Sequence, residues 1–194
     1  TANKLGLEEA ARICRYGFLT SIAQKHNAQA ILTAHHQDDQ VETVLMHFLR
    51  GTGLNGLSGM RLVELLPQFS VDVPIWRPLL NTSKEEILDY CRDNQITPIE
   101  DESNRDLLFY RNRLRYQLIP QIEEIQPAFR TIVARNANVI ELDRQVLEKM
   151  TEHAWQSCLA RQLSINALLF KRSEWNQLDE TIQYRLLMKA ANQL

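Results

Sequence analysis

The stretch TAHHQDDQVET, residues 33–43, decides how this chain is read. It follows the short apolar run AQAIL and precedes VLMHFLR, so it marks the passage from a buried strand to a helix. That order is the unit of an α/β fold, in which ligands gather at the carboxyl edge of the strands. His35, His36, Asp38 and Asp39 fall at that edge. Asp39 and Glu42 are three residues apart, about 60° around a helix, so their carboxylates can converge on one ligand. Such a pair can hold Mg²⁺, bind an ammonium group or take a proton. Acidic residues in a first helical turn also complement the helix dipole, which leaves a purely structural explanation open. A structural zinc site is disfavoured, because the adjacent histidines point different ways and no cysteine lies near them.

Working outward, Leu7, Ala10, Ala11, Cys14, Phe18 and Ile22 recur at helical spacing and predict a helix over 7–26 with that face inward. Val41, Val44, Leu45 and Phe48 are the expected core face of the helix after the acidic stretch. Arg50 lies eleven residues beyond Asp39, almost the same direction and about 16 Å along the axis. The loop GTGLNGLSGM contains a literal GxGxxG, but a helix precedes it where the dinucleotide fingerprint requires a strand. Its remaining readings are a turn, or bare backbone NH groups beside Arg50 that approach phosphate. VDVPIWRPLL is extended, and TSKEEI is a capping box, Ser83 with Glu86, opening a helix expected to bury Ile87, Leu88 and Cys91. EDESNRD reads as a polar loop.

Between Arg105 and Arg115, arginines 105, 111, 113 and 115 alternate with Phe109 and Tyr110, and Tyr116 follows. Guanidinium forks grip phosphate and aromatic rings stack on unpaired bases, so this is the best local RNA footprint; a solvated helix paired with the acids at 100–106 is the plainer alternative. Lys171, Arg172 and Trp175 repeat the pattern weakly, and His26, His47 and His153 stand alone. All six glycines lie at or before Gly59 and all six prolines between Pro67 and Pro127, so the last third is expected to be helical. Pro120 and Pro127 bracket a boundary near 126, separating residues 1–126 from a small, mainly helical domain at 127–194. There a long helix over about 128–158 carries a seam of Phe129, Ile132, Val139, Val146 and Met150, followed by a strand around SINALLF and a last helix.

Bulk properties exclude little. The net charge of −2 announces no polyanion partner, so basic surface must be local. Three scattered cysteines fit neither a disulfide framework nor a zinc pattern, which implies a reducing compartment. No apolar run is long enough to span a membrane, and the expected location is cytoplasmic.

LEEAARICRYGFL, TAHHQDDQVETVLMHFLRGTGLNGLSGM, RPLL and EDESNRDLLFYRNRLRYQLIP, in this order and spacing, resemble the tRNA(Ile)-lysidine synthetases, over residues 7 to about 120. The resemblance implies the later part of a parallel-sheet PP-loop ATPase domain, of the adenine nucleotide alpha-hydrolase-like class, followed by a small helical tRNA-binding domain. It implies ATP and Mg²⁺ as cofactors, the CAU-anticodon isoleucine tRNA and free L-lysine as substrates, and is compatible with a homodimer. By the same resemblance Asp39, Glu42 and His35 are the expected catalytic residues, with Asp39 beside an ATP-borne Mg²⁺. Arg12, Arg15, Arg50, Arg111, Arg113 and Arg115 are the expected phosphate, lysine-carboxylate or tRNA contacts. The family's SGGxDS phosphate loop is absent from these residues, and its expected place is upstream of Thr1. Without it the chain is expected to be inactive alone. Two other classes stay open: a metal-dependent phosphoesterase built on His35, His36, Asp38 and Asp39, and a non-catalytic RNA-binding module.

Overall fold

The computed structural model describes residues 7–99, 106–164 and 167–193. The chain divides into two compact units, Thr1–Ala137 and Asn138–Leu194. The division falls inside one continuous helix, further along than residue 126.

In the first unit, α1 (Leu7–Lys25) leads through a tight turn into β1 (Ile31–Leu32), and α2 (Gln37–Leu49) follows. After α3 (Leu54–Leu57), a single turn within the glycine-rich loop, come β2 (Val63–Glu64), β3 (Ile75–Trp76) and α4 (Lys84–Asp93). The sheet order is β1-β3-β2. β1 and β3 are parallel, with Ile31 opposite Ile75, whereas β2, a strand with no clear sequence signal, is antiparallel to β3. The backbone N–H of Thr33 donates to Trp76 O at 2.9 Å and extends the parallel ladder, so His35 and Arg77 leave the sheet at the same carboxyl edge.

α1 forms where expected but turns a different face inward. Tyr16, Ala23 and partly buried Leu19 pack on Ile31 and Ile75, and the Tyr16 ring meets Phe69 at 5.7 Å between centroids. Phe18 is 64% exposed, and Cys14 and Ile22 are also on the outside. Helical spacing is shared by every face of a helix; which face is buried depends on what the sheet offers, and here an aromatic pair with small residues fits it. In α2, Val41 and Val44 are buried as expected, and Val41 meets Ile119 and Ala134 with Leu45 beside them. Phe48 is not; it sits at the exposed end of the helix. α4 begins with the expected box, Ser83 Oγ accepting from Glu86 N, but none of its residues is fully buried and Leu88 is exposed.

From Tyr110 onward the basic segment is helical: α5 (Tyr110–Arg113), a π-helical turn (Leu114–Leu118) and α6 (Ile119–Ile125). Pro120 is part of this helix rather than a break before it. The wide π turn ahead of it accommodates a residue with no N–H to donate. Ile119, next to it, is fully buried against Val41.

α7 (Phe129–Cys158) enters the second unit, followed by β4 (Leu159–Ser164), β5 (Ala167–Phe170), α8 (Arg172–Trp175) and α9 (Glu180–Gln193). Where one strand was expected there is an antiparallel hairpin, β4 pairing with β5. The core is Ala154, Trp155, Cys158, Ile182, Leu186 and Ala190, ringed by Phe170 and Trp175 among others. Val139, Val146 and Met150 of the expected seam face outward. Buried Arg144 lies on the inner face instead, satisfied by Glu141 and Glu148 at 2.6 Å each. Trp175 packs on Phe170 at 5.4 Å, so it belongs to the core rather than to a free stacking surface.

Candidate functional site

Asp39 and Glu42 do converge, and what they converge on is a pair of arginines. Glu42 is fully buried; its Oε2 accepts from Arg111 Nε at 2.5 Å and its Oε1 from Arg115 Nε at 2.5 Å, with Arg115 Nη2 on Oε2 at 3.0 Å. Asp39 Oδ1 takes Arg111 Nη2 at 3.2 Å and Arg115 Nη2 at 3.3 Å, while Oδ2 accepts the backbone N–H of His36 at 3.0 Å. Arg111 and Arg115, four apart, share one side of their helix, and Val41–Ile119 packing brings that side onto α2. The local reason is thus an apolar contact that places two complementary stripes face to face. Burial works against the charge on Arg115, and Glu42 with Asp39 more than restores it, so its pKa rises. Four opposite charges cancel in a low-dielectric pocket, and removing one leaves its partners buried and unmatched.

Asp38 points elsewhere. Its Oδ2 meets Arg130 Nη1 at 2.8 Å, its Oδ1 accepts the N–H of Lys84 at 3.2 Å, and Arg130 also holds Glu123 at 2.8 Å. This strap fastens the entrance of α2 to α4, α6 and the start of α7. His36 lies 3.5 Å from Asp39 and 4.0 Å from Asp38, and its Nδ1 is buried without a partner. Among the described residues no three His, Cys, Asp or Glu side chains gather around a common point. The phosphoesterase arrangement of His35, His36, Asp38 and Asp39 is therefore not supported: the carboxylates are committed to arginines and backbone N–H groups. Asp39 Oδ1 is shared by the two arginines, and its Oδ2 holds the His36 N–H.

His35 is half-buried at the strand edge, its Nδ1 sharing a hydrogen bond with Thr33 Oγ1 at 2.9 Å. Burial lowers its pKa from 6.5 to about 4; Asp39 opposes the shift, and Arg77, Arg111 and Arg15 reinforce it. It is a neutral imidazole at pH 7. Beside it Arg15, Tyr16, Leu19, Thr33 and Ala34 complete a cavity of about 250 Å³. Arg12 is apart from it, exposed on α1 with its guanidinium over the Tyr16 ring at 5.7 Å. Arg50 caps the far end of α2, and Arg113 faces away from the acids; both lie over the ring of Tyr110. Arg105 lies outside the described residues.

Three contributors escaped the sequence reading. Arg77, in the RPLL phrase, is buried at the carboxyl edge, with Nη1 on Glu64 at 3.0 Å and on Arg61 O at 2.8 Å. Gln40 is buried and ties the glycine-rich loop to α2, donating to Ser58 O and Met60 O and accepting Met60 N at 2.7 Å. Gly59, at φ +65°, passes so close that a Cβ would meet Gln40 at 2.6 Å. Arg130, far away in sequence, is the third. Arg77 and Arg130 had a signal, a charged residue amid apolar neighbours, whereas Gln40 lies in a polar run and had none; no spacing rule names the partner of any of the three.

A family described as "PP-loop domain" matches residues 1–122. Among curated proteins, the tRNA(Ile)-lysidine synthase of Thermosipho africanus is 41% identical over 155 residues, 79% of this chain and 34% of that protein. The enzyme of the same name from Nitrosomonas europaea is 37% identical over 163 residues, covering 84% and 34%. That of Clostridium tetani is 29% identical over 192 residues, covering 98% and 39%. The chain thus spans little more than a third of the length of these relatives. Among solved structures, the U34-tRNA thiolase NcsA from Methanococcus maripaludis aligns with a TM-score of 0.54 at 15% identity, over 72% of this chain and 46% of that one, which bears on the fold alone.

Proposed function

Since the chain belongs to the PP-loop domain family, we propose that it forms part of a cytoplasmic tRNA-modifying ligase of the tRNA(Ile)-lysidine synthase type. The reaction adenylates C2 of the wobble cytidine in a CAU anticodon, releasing pyrophosphate, and an amine of free lysine then displaces AMP. ATP, with Mg²⁺ carried on its phosphates, supplies the activation that turns a carbonyl oxygen into a leaving group. The observation that carries this reading is the placement of Asp39, Glu42, Arg111 and Arg115 beside His35 at the carboxyl edge of a parallel strand pair, in a chain whose long relatives bear that name.

In this reading Glu42 is a positioning residue. Sealed from water, it orients both guanidinium forks, whose remaining N–H groups meet the lysine carboxylate or the departing phosphate. Asp39, the more accessible acid, exchanges one arginine contact for a lysine ammonium group. His35, with a pKa near 4, is too weak a base to store a proton at pH 7 and serves as a hydrogen-bonding partner at the strand end. Arg15 in the same cavity meets a phosphate oxygen.

The test uses the protein containing this chain, labelled lysine, ATP and CAU-anticodon tRNA. The expected result is ATP-dependent incorporation of lysine with release of pyrophosphate and AMP. tRNA binding without incorporation would point to the non-catalytic module instead. Asp39→Asn keeps the shape of the side chain and its acceptor for His36 N; it is expected to lower incorporation at least a hundredfold with tRNA affinity nearly unchanged. Unchanged turnover would remove Asp39 from the lysine site.

A further inference from the structure

The helix from Tyr110 to Ile125 carries a second constellation on the side away from Glu42. Tyr110 is its centre. The Arg113 guanidinium carbon lies 5.5 Å from the centroid of its ring, and that of Arg50, arriving from the end of α2, lies 5.9 Å away. Both arginines are exposed, and neither forms an ion pair with a described residue. Two like charges on one ring repel each other, and among the described residues the attraction that offsets this is the ring quadrupole. Beside it a cavity of about 590 Å³ runs along the same helix face, lined by Tyr110, Arg113, Tyr116, Gln117, Gln121 and Glu124 among others. That volume lies within the range of sites for small organic groups.

The polarity of this groove is graded. Its Tyr110 end has two guanidinium groups, and its far end has the carboxylate of Glu124, eleven residues or about 16 Å beyond Arg113. Phosphate is favoured at the first end and repelled at the second. Between them lie amides that both donate and accept, and a second tyrosine ring. This is the complement of a nucleotide laid out with its phosphate at one end and its base along the groove. Duplex RNA presents phosphates but no free base faces, so the groove suits an unpaired residue.

We propose that Arg50, Tyr110 and Arg113 form a docking site for one unpaired nucleotide of the RNA substrate, its phosphodiester held between the guanidinium groups and its base in the adjoining groove. The proposal rests on the reading of the protein as tRNA-acting, and places this contact outside the Asp39–Glu42 site.

The test measures binding of the protein to CAU-anticodon tRNA, to a short single-stranded RNA and to duplex RNA over a range of salt, for the parent, Arg50→Gln, Arg113→Gln, Arg113→Lys and Tyr110→Leu. Arg50→Gln and Arg113→Gln are each expected to weaken tRNA and single-strand binding about tenfold and to lower the salt slope by about 0.7. Arg113→Lys is expected to keep the slope and lose affinity, because lysine keeps the charge but not the planar stack. Tyr110→Leu should do the same. Failure of the parent to bind any RNA overturns the tRNA reading itself. Parent binding that all four variants retain, with the same slope, overturns this site while leaving that reading intact. Equal losses on duplex and single strand also overturn it, because they would mark an undirected basic patch. Thermal unfolding of each variant checks that the protein remains folded.

Discussion

One helix bears two pairs of guanidinium contacts with opposite fates. Arg111 and Arg115, on the inner side, are matched by Glu42 and Asp39, with Glu42 inaccessible to water. Arg113, two residues from each, joins Arg50 on the ring of Tyr110 in the open. Residues two apart on a helix lie about 200° from each other, so a uniform basic segment is split into a half paired with acids and a half with no ion pair among the described residues. The inner pair is fixed by buried acids; the outer pair is the one proposed above to meet a phosphodiester. A local run of arginines therefore carries two different meanings, and only their partners distinguish them.

The sharpest way to break this contrast is Glu42→Gln. It leaves two arginines with an uncharged amide beside Asp39, and the expected loss of stability is about 3 kcal/mol, the lower end of the range for a broken buried pair because both arginines keep Asp39 and some contact with water. Urea unfolding measures it; a loss below about 0.5 kcal/mol would place the pair in the category of surface contacts. A second effect is expected in the pH dependence around His35. Its folded pKa of about 4 lies below its ordinary 6.5, so folding favours the neutral form. The stability it contributes is complete above about pH 6.5 and falls as pH drops toward about 4. His35→Asn should flatten that part of the stability profile relative to the parent; parallel profiles would show that the imidazole is not shielded. The smallest effect is expected on the outer face, where Arg113→Gln should change stability by less than about 0.5 kcal/mol. A loss matching that of Glu42→Gln would erase the distinction between the two faces.

Much of the first unit was legible in the residues. The capping box at Ser83, the helix over 7–26 and the helix after the acidic stretch all follow from local chemistry, and local rules reach that far. Inner faces were less legible. Phe18, Phe48 and Val146 have the spacing of core residues and lie outside, whereas Tyr16, Gln40 and Arg144 are buried. Hydrophobicity ranks side chains one by one, while burial depends on whether a neighbour supplies a ring, a carbonyl or a carboxylate. Gln40 is inside because Ser58, Met60 and their loop come to it. Arg144 is inside because Glu141 and Glu148 travel with it. Pro120 reads as punctuation along the chain, yet the π turn before it lets the helix continue.

By itself the sequence determined the strand-to-helix passage at TAHHQDDQVET, the three-residue spacing of Asp39 and Glu42, and the run of arginines seventy residues later. These are consequences of backbone periodicity, which each segment carries within itself. Tertiary structure decided what each charge would face. Packing of Val41 on Ile119 brought α2 against the basic helix, matched Glu42 with Arg111 and Arg115, sent Asp38 to Arg130, and left Arg50 and Arg113 together on Tyr110. Charge interactions at these distances depend on partner and burial, and both are properties of the assembled fold.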